Sequence, residues 1–128
     1  MINFNKNKIA IIGLGYVGLP LAVEFSKKFK VFGFDINTNR LNDLRNFKDT
    51  TLEITPQQLK SLIILKNNNS LKSGLYLTNK LSEISNCNIF IVTVPTPVDH
   101  HNHPQLTPLL KATEYVATVL KKGDYVIY

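Results

Sequence analysis

Lys8-Ile9-Ala10-Ile11-Ile12-Gly13-Leu14-Gly15-Tyr16-Val17-Gly18 is a short apolar run, rich in β-branched residues, that ends in three spaced glycines. A continuous apolar run of this length, bounded by glycine, predicts a parallel strand buried on both faces. Beyond it the period changes. From Tyr16 to Phe29, Leu21, Ala22, Phe25 and Phe29 fall along one side, while Glu24, Lys27 and Lys28 fall elsewhere, which predicts a helix. Pro20 lies close enough to the first turn that at most one backbone bond is lost. Each glycine between strand and helix has a mechanical reason. Gly13 permits a tight turn off the strand, and a side chain at Gly15 would block the backbone from a pyrophosphate. A side chain at Gly18 would push the helix off the sheet. The amides around Tyr16 and Val17 would point from the helix N-terminus toward phosphate oxygens.

A glycine triplet alone is a weak signal, and the next strand gives it weight. Lys30 to Phe34 predicts a second strand, and it ends at Asp35, 17 residues beyond Gly18. That is close to the offset at which an acid accepts hydrogen bonds from the adenosine ribose hydroxyls of a bound dinucleotide. A carboxylate there repels a 2′-phosphate, which favours NAD over NADP. Arg40 keeps the alternative open, since an arginine nearby can neutralise that phosphate.

Further along, Thr38 to Phe47 predicts a second helix, and Thr55-Pro56 starts a short one that runs to about Leu65. Gly74 to Thr78 predicts a third strand and Lys80 to Ile84 a helical turn. Asn88 to Val94 is the strongest strand by composition, and it stops at Pro95-Thr96-Pro97. Thr107-Pro108 repeats the threonine-proline start and opens a helix to about Lys122, after which Tyr125 to Tyr128 forms a last strand. Strands alternating with helices over 128 residues predict one α/β domain, residues 1–128. Its class is a Rossmann doubly wound parallel sheet with helices on both faces, stopping after about five strands. The Pro95-Thr96-Pro97 loop then lies at the ligand edge, at the carboxyl end of a central strand.

Composition excludes several other classes. The hydrophobic fraction is 44% and the net charge +6, but lysines and arginines are scattered, with no basic stripe interleaved with aromatics. Nucleic acid is therefore not the expected partner. No apolar run approaches the ~20 residues that span a bilayer, and Met1 to Lys8 does not read as a signal peptide, so the expected location is cytoplasmic. The single Cys87 reads as a small core residue. Asp99, His100, His101 and His103 read as a solvated loop rather than a metal site.

These motifs together resemble the UDP-glucose/GDP-mannose dehydrogenase family. The resemblance is carried by Lys8 to Ala22, by Gly33-Phe34-Asp35-Ile36-Asn37 with Arg40, by Ile91-Val92-Thr93-Val94-Pro95-Thr96-Pro97, and by Gln105-Leu106-Thr107-Pro108-Leu109. It covers Lys8 to Tyr128 and looks closest to the branch that oxidises UDP-N-acetylhexosamines to uronic acids for capsule or O-antigen synthesis. UDP-glucose oxidation and a non-catalytic dinucleotide-sensing module are the alternatives. The resemblance implies an NAD-dependent oxidation of the sugar C6 alcohol to a carboxylate in two hydride transfers. Residue by residue, it implies that Tyr16 and Val17 contact the pyrophosphate through their backbone. It further implies that Asp35 and Arg40 hold the adenosine ribose, and that Thr96 sits near the nicotinamide half. Family members are much longer, so it also implies an N-terminal portion of a larger enzyme that carries no catalytic residue and is inactive alone. The UDP-sugar would then be held by the remainder, in a homodimer or larger assembly. A sixth strand is missing in this reading, which exposes an edge at Tyr125 to Tyr128.

Overall fold

The computed structural model describes residues 6–128; the beginning of the Met1–Lys8 segment lies outside the described residues. Six strands of the described residues form one sheet: β1 (Ile9–Ile12), β2 (Lys30–Phe34), β3 (Ile63–Ile64), β4 (Gly74–Thr78), β5 (Ile89–Val92) and β6 (Tyr125–Ile127). Among the described residues five helices accompany them: α1 (Gly18–Ser26), α2 (Thr38–Arg45), α3 (Pro56–Leu62), α4 (Leu81–Ile84) and α5 (Thr107–Val119). The strand order is β3-β4-β2-β1-β5-β6, and every pairing is parallel. From β1 the chain builds outward through β2 to β4 and then returns to the other side of β1 with β5 and β6. The winding reverses between β1 and β5, and in an open parallel sheet that crevice is where ligands bind.

The period of two along each strand feeds two cores. Ile9 and Ile11 of β1, with Val31, Leu75 and Leu77, pack against Leu19, Ala22 and Val23 of α1, Leu41 and Leu44 of α2, and Leu59 of α3. Ala10 and Ile12, with Phe32, Phe34, Phe90 and Val92, face Ile84 of α4 and Ala112 and Val116 of α5. Every residue of β1 and β2 is buried, as two covered faces require. Cys87 lies in the second core, where burial pushes its thiol up to about 12 and leaves it inert.

Two expectations change in detail. The sheet has six strands rather than about five, because the helix begun by Thr55 ends at Leu62 instead of about Leu65. Ile63 takes extended geometry (φ −69°, ψ 128°), and Ile63 and Ile64 pair with Leu75 and Tyr76 of β4. Two β-branched residues beside an unpaired strand edge gain more there than in a last helical turn. Thr55 caps α3 as expected, in a capping box with Gln58. Thr107 does not cap α5: it is the first residue inside the helix, and Leu106 holds the cap position without a side-chain bond. At the other edge, Tyr125, Ile127 and Tyr128 of the last strand region are exposed, as the sequence indicates.

Candidate functional site

The turn that joins β1 to α1 is tied to the ends of β2 and β5. Gly13 N–H donates to Phe34 C=O at 2.8 Å, and Thr93 Oγ1 donates to Gly13 C=O at 2.8 Å. Gly13 has φ +96°, and a Cβ there would press on Val94 at 3.0 Å. A Cβ on Gly18 would stand 1.8 Å from Gly13 C=O, so glycine is imposed by the protein itself. Gly15 differs: a Cβ there meets nothing within 4 Å. Packing does not ask for glycine at 15, and the space over it is open to a ligand. The glycine loop therefore fits a pyrophosphate.

A cavity of about 700 Å³ opens beside this loop, at the crevice between the two halves of the sheet. Gly13, Gly15, Asp35, Arg40, Pro95 and Tyr115 are among the residues that line it. Asp35 Oδ2 accepts from Leu14 N–H at 3.0 Å and Oδ1 from Asn37 N–H at 2.9 Å, so the carboxylate is oriented before any ligand arrives. Arg40 Nε donates to Leu14 C=O at 2.8 Å. The two side chains thus hold the Leu14 residue from both ends. Tyr16 and Val17 sit at the start of α1 with exposed side chains and do not line the cavity, although Gly15 beside them does. Thr96 is exposed and lies one residue past the lining residue Pro95.

Residues 7–128 match the family model described as the UDP-glucose/GDP-mannose dehydrogenase family, NAD binding domain. The chain belongs to this family. It is 54% identical over 121 residues to a UDP-N-acetyl-D-glucosamine 6-dehydrogenase of Pseudomonas aeruginosa, covering 94% of this chain and 26% of that protein. The enzyme of the same description from Salmonella typhi is 48% identical over 128 residues, covering 100% of this chain and 28% of that protein. Among solved structures, a UDP-D-ManNAc dehydrogenase from Pyrococcus horikoshii superposes with a TM-score of 0.79 at 31% identity, covering 93% of this chain and 27% of that one. The chain thus spans about a quarter of the length of the relatives it matches. What it spans is the family's NAD-binding domain, and its cofactor is NAD.

Behind the cavity stands a residue that linear patterns do not reveal. Asp49 is buried, and its carboxylate gathers five donors: Arg40 Nη1 at 2.9 Å, Thr51 N–H at 2.9 Å and Thr51 Oγ1 at 2.6 Å on Oδ1, with Glu53 N–H at 2.9 Å and Ile54 N–H at 3.0 Å on Oδ2. The signal available was Asp49 two residues before Thr51, an aspartate-led turn, but nothing in the sequence links it to Arg40. Burial alone would raise its pKa, yet the hydrogen bonds from Thr51, Ile54 and Arg40 bring it from 3.8 down to about 2. A depressed carboxylate pKa stabilises the fold above the unfolded value and loses that contribution as pH falls through the folded one. Asp49 is therefore expected to contribute about 2 kcal/mol near neutrality. That contribution should disappear between about pH 4 and about pH 2. Glu83, held low by Thr78 and Tyr76 despite its burial, acts in the same direction. Urea midpoints measured across this window should fall steeply, and a flat profile would contradict the assignment.

The histidine loop has a local explanation. Asp99 Oδ1 accepts from the backbone N–H of His101 at 2.8 Å and of His103 at 2.9 Å, closing the loop between Pro97 and Gln105. Among the described residues, no helix is long and apolar enough to cross a membrane.

Proposed function

We propose that this chain is the cofactor-binding part of a UDP-N-acetylhexosamine 6-dehydrogenase, which oxidises the sugar C6 alcohol to a carboxylate. The observation that carries this reading is the open cradle over Gly15, beside Asp35, in a chain whose relatives include UDP-N-acetyl-D-glucosamine 6-dehydrogenases. When bound, NAD accepts the hydride. The part of this chain is to hold it in register. The loop from Gly13 to Gly18 receives the pyrophosphate, with the amides of Tyr16 and Val17 directed by the α1 dipole. Asp35 accepts from the adenosine ribose hydroxyls through the lone pairs left free by Leu14 and Asn37. Arg40 borders the same end, and Thr96 flanks the nicotinamide half. The remaining length of the enzyme supplies the sugar site and the catalytic groups, and the complete protein works as a homo-oligomer.

Calorimetric titration tests the cofactor part directly. NAD is expected to bind more tightly than NADP. Asp35→Ala should weaken NAD by about ten- to hundredfold, the loss of charge-assisted hydrogen bonds worth about 1.5–3 kcal/mol. It should weaken NADP less. Unchanged NAD affinity in Asp35→Ala would remove the ribose role. Turnover of UDP-N-acetylglucosamine by these residues alone would remove the division of labour.

A further inference from the structure

Arg40 lines the NAD cavity, yet little of its side chain reaches solvent: its exposure is 10%, and that of its partner Asp49 is 0%. Most of its donors are already committed. Nε goes to Leu14 C=O and Nη1 to Asp49 Oδ1, 2.9 Å away, with Thr50 Oγ1 at 3.4 Å; Nη2 faces Thr51 Oγ1 at 3.5 Å. An arginine at this place in a dinucleotide site would ordinarily offer a full positive charge and a fork of donors to a 2′-phosphate. Here the charge is paired by a carboxylate that is not itself among the residues lining the cavity, and most of the fork is engaged by that carboxylate, Leu14 and the two threonines. Asp35, which lines the same cavity, has no ion pair among the described residues.

We propose that Asp49 is a specificity-determining residue: by pairing with Arg40 from behind, it cancels the positive charge of Arg40, which lines the cavity with Asp35, and makes the site reject a 2′-phosphorylated dinucleotide. This rests on the NAD-binding reading above and adds a residue that does not touch the cofactor. It is a positioning role, exerted through Arg40. Asp49 stays ionised throughout the neutral range, so the cancellation does not relax with pH there.

The test uses affinities for NAD and NADP measured by calorimetry on the whole chain, with thermal melts to verify folding. Asp49→Asn removes the charge with little change in shape. The ratio of NADP to NAD dissociation constants is expected to fall about tenfold, because Arg40 is then uncompensated. In an Arg40→Gln background the same Asp49→Asn change should leave the ratio where it was. If Asp49 merely ties the 49–54 loop, Asp49→Asn weakens both dinucleotides by one factor, and that result overturns the proposal. So does a ratio shift that persists without Arg40. Should Asp49→Asn fail to fold, Ile36→Arg puts an unpaired guanidinium beside Asp35, at an exposed position that lines the cavity. A tenfold fall in the ratio would support charge cancellation, and no change would refute it. A parent chain that binds neither dinucleotide would sink the cofactor reading itself, an outcome separable from all of these.

Discussion

Replacing Gly18 by alanine is expected to destabilise the chain by about 3 kcal/mol and to abolish NAD binding. Helix propensity alone favours alanine by about 1 kcal/mol inside α1. Against that small gain stands a Cβ only 1.8 Å from the Gly13 carbonyl and 2.4 Å from Thr93 Oγ1. The first is backbone, fixed by its strand, and cannot step aside as a flexible side chain would. The helix must lift from the sheet, which opens the first core at Leu19, Ala22 and Val23 and tilts the amides that we propose for the pyrophosphate. Gly15→Ala provides the contrast. Its Cβ enters empty space, so urea stability should be unchanged while NAD affinity is lost. If both variants behave alike in both assays, the assignment of one glycine to packing and the other to the ligand is wrong.

Phe90→Ala should be nearly as damaging to stability, at about 3–5 kcal/mol. Phe90 is fully buried at the centre of β5. The registers place it in a row across the sheet, Tyr76-Phe32-Ala10-Phe90-Val126, with the small Ala10 between two phenylalanines. Truncation at 90 would put two alanines side by side beneath α5 and leave a gap in a close-packed core. Domains of this kind are stable by only about 5–15 kcal/mol, so much of the total would be lost. The urea midpoint measures it, and a loss under about 1 kcal/mol would show that the row repacks.

The parts of this molecule legible in the sequence were those in which neighbouring residues carry the signal. The glycine loop, Asp35 and the long helices are of that kind, because turn geometry and the periods of two and 3.6 are local. Ile63 and Ile64 were not, since a two-residue strand has no period and exists only because β4 offers it an edge. Asp49 was hidden for a similar reason: its meaning depends on a loop folding back to meet Arg40. Tyr115 is a third case. It lies off the apolar stripe of Leu109, Ala112, Val116 and Val119, and its contact with Phe34, rings 6.0 Å apart, and its place on the cavity wall appear only in the fold. Even α1 proved shorter than its apolar stripe, ending at Ser26, whose hydroxyl bonds back to Val23 C=O at 2.8 Å.

The bond from Thr93 to Gly13 spans 80 positions of chain, and that separation sets an order in time. At roughly 5–20 residues per second of synthesis, the glycine loop leaves the ribosome several seconds before the strand that finishes it. Until β5 docks, Gly13 has neither the Thr93 hydroxyl on its carbonyl nor Val94 at its side. Contacts so distant in sequence close late and slowly. The earliest-made and most recognisable motif of the chain should therefore be among the last to become competent for its cofactor.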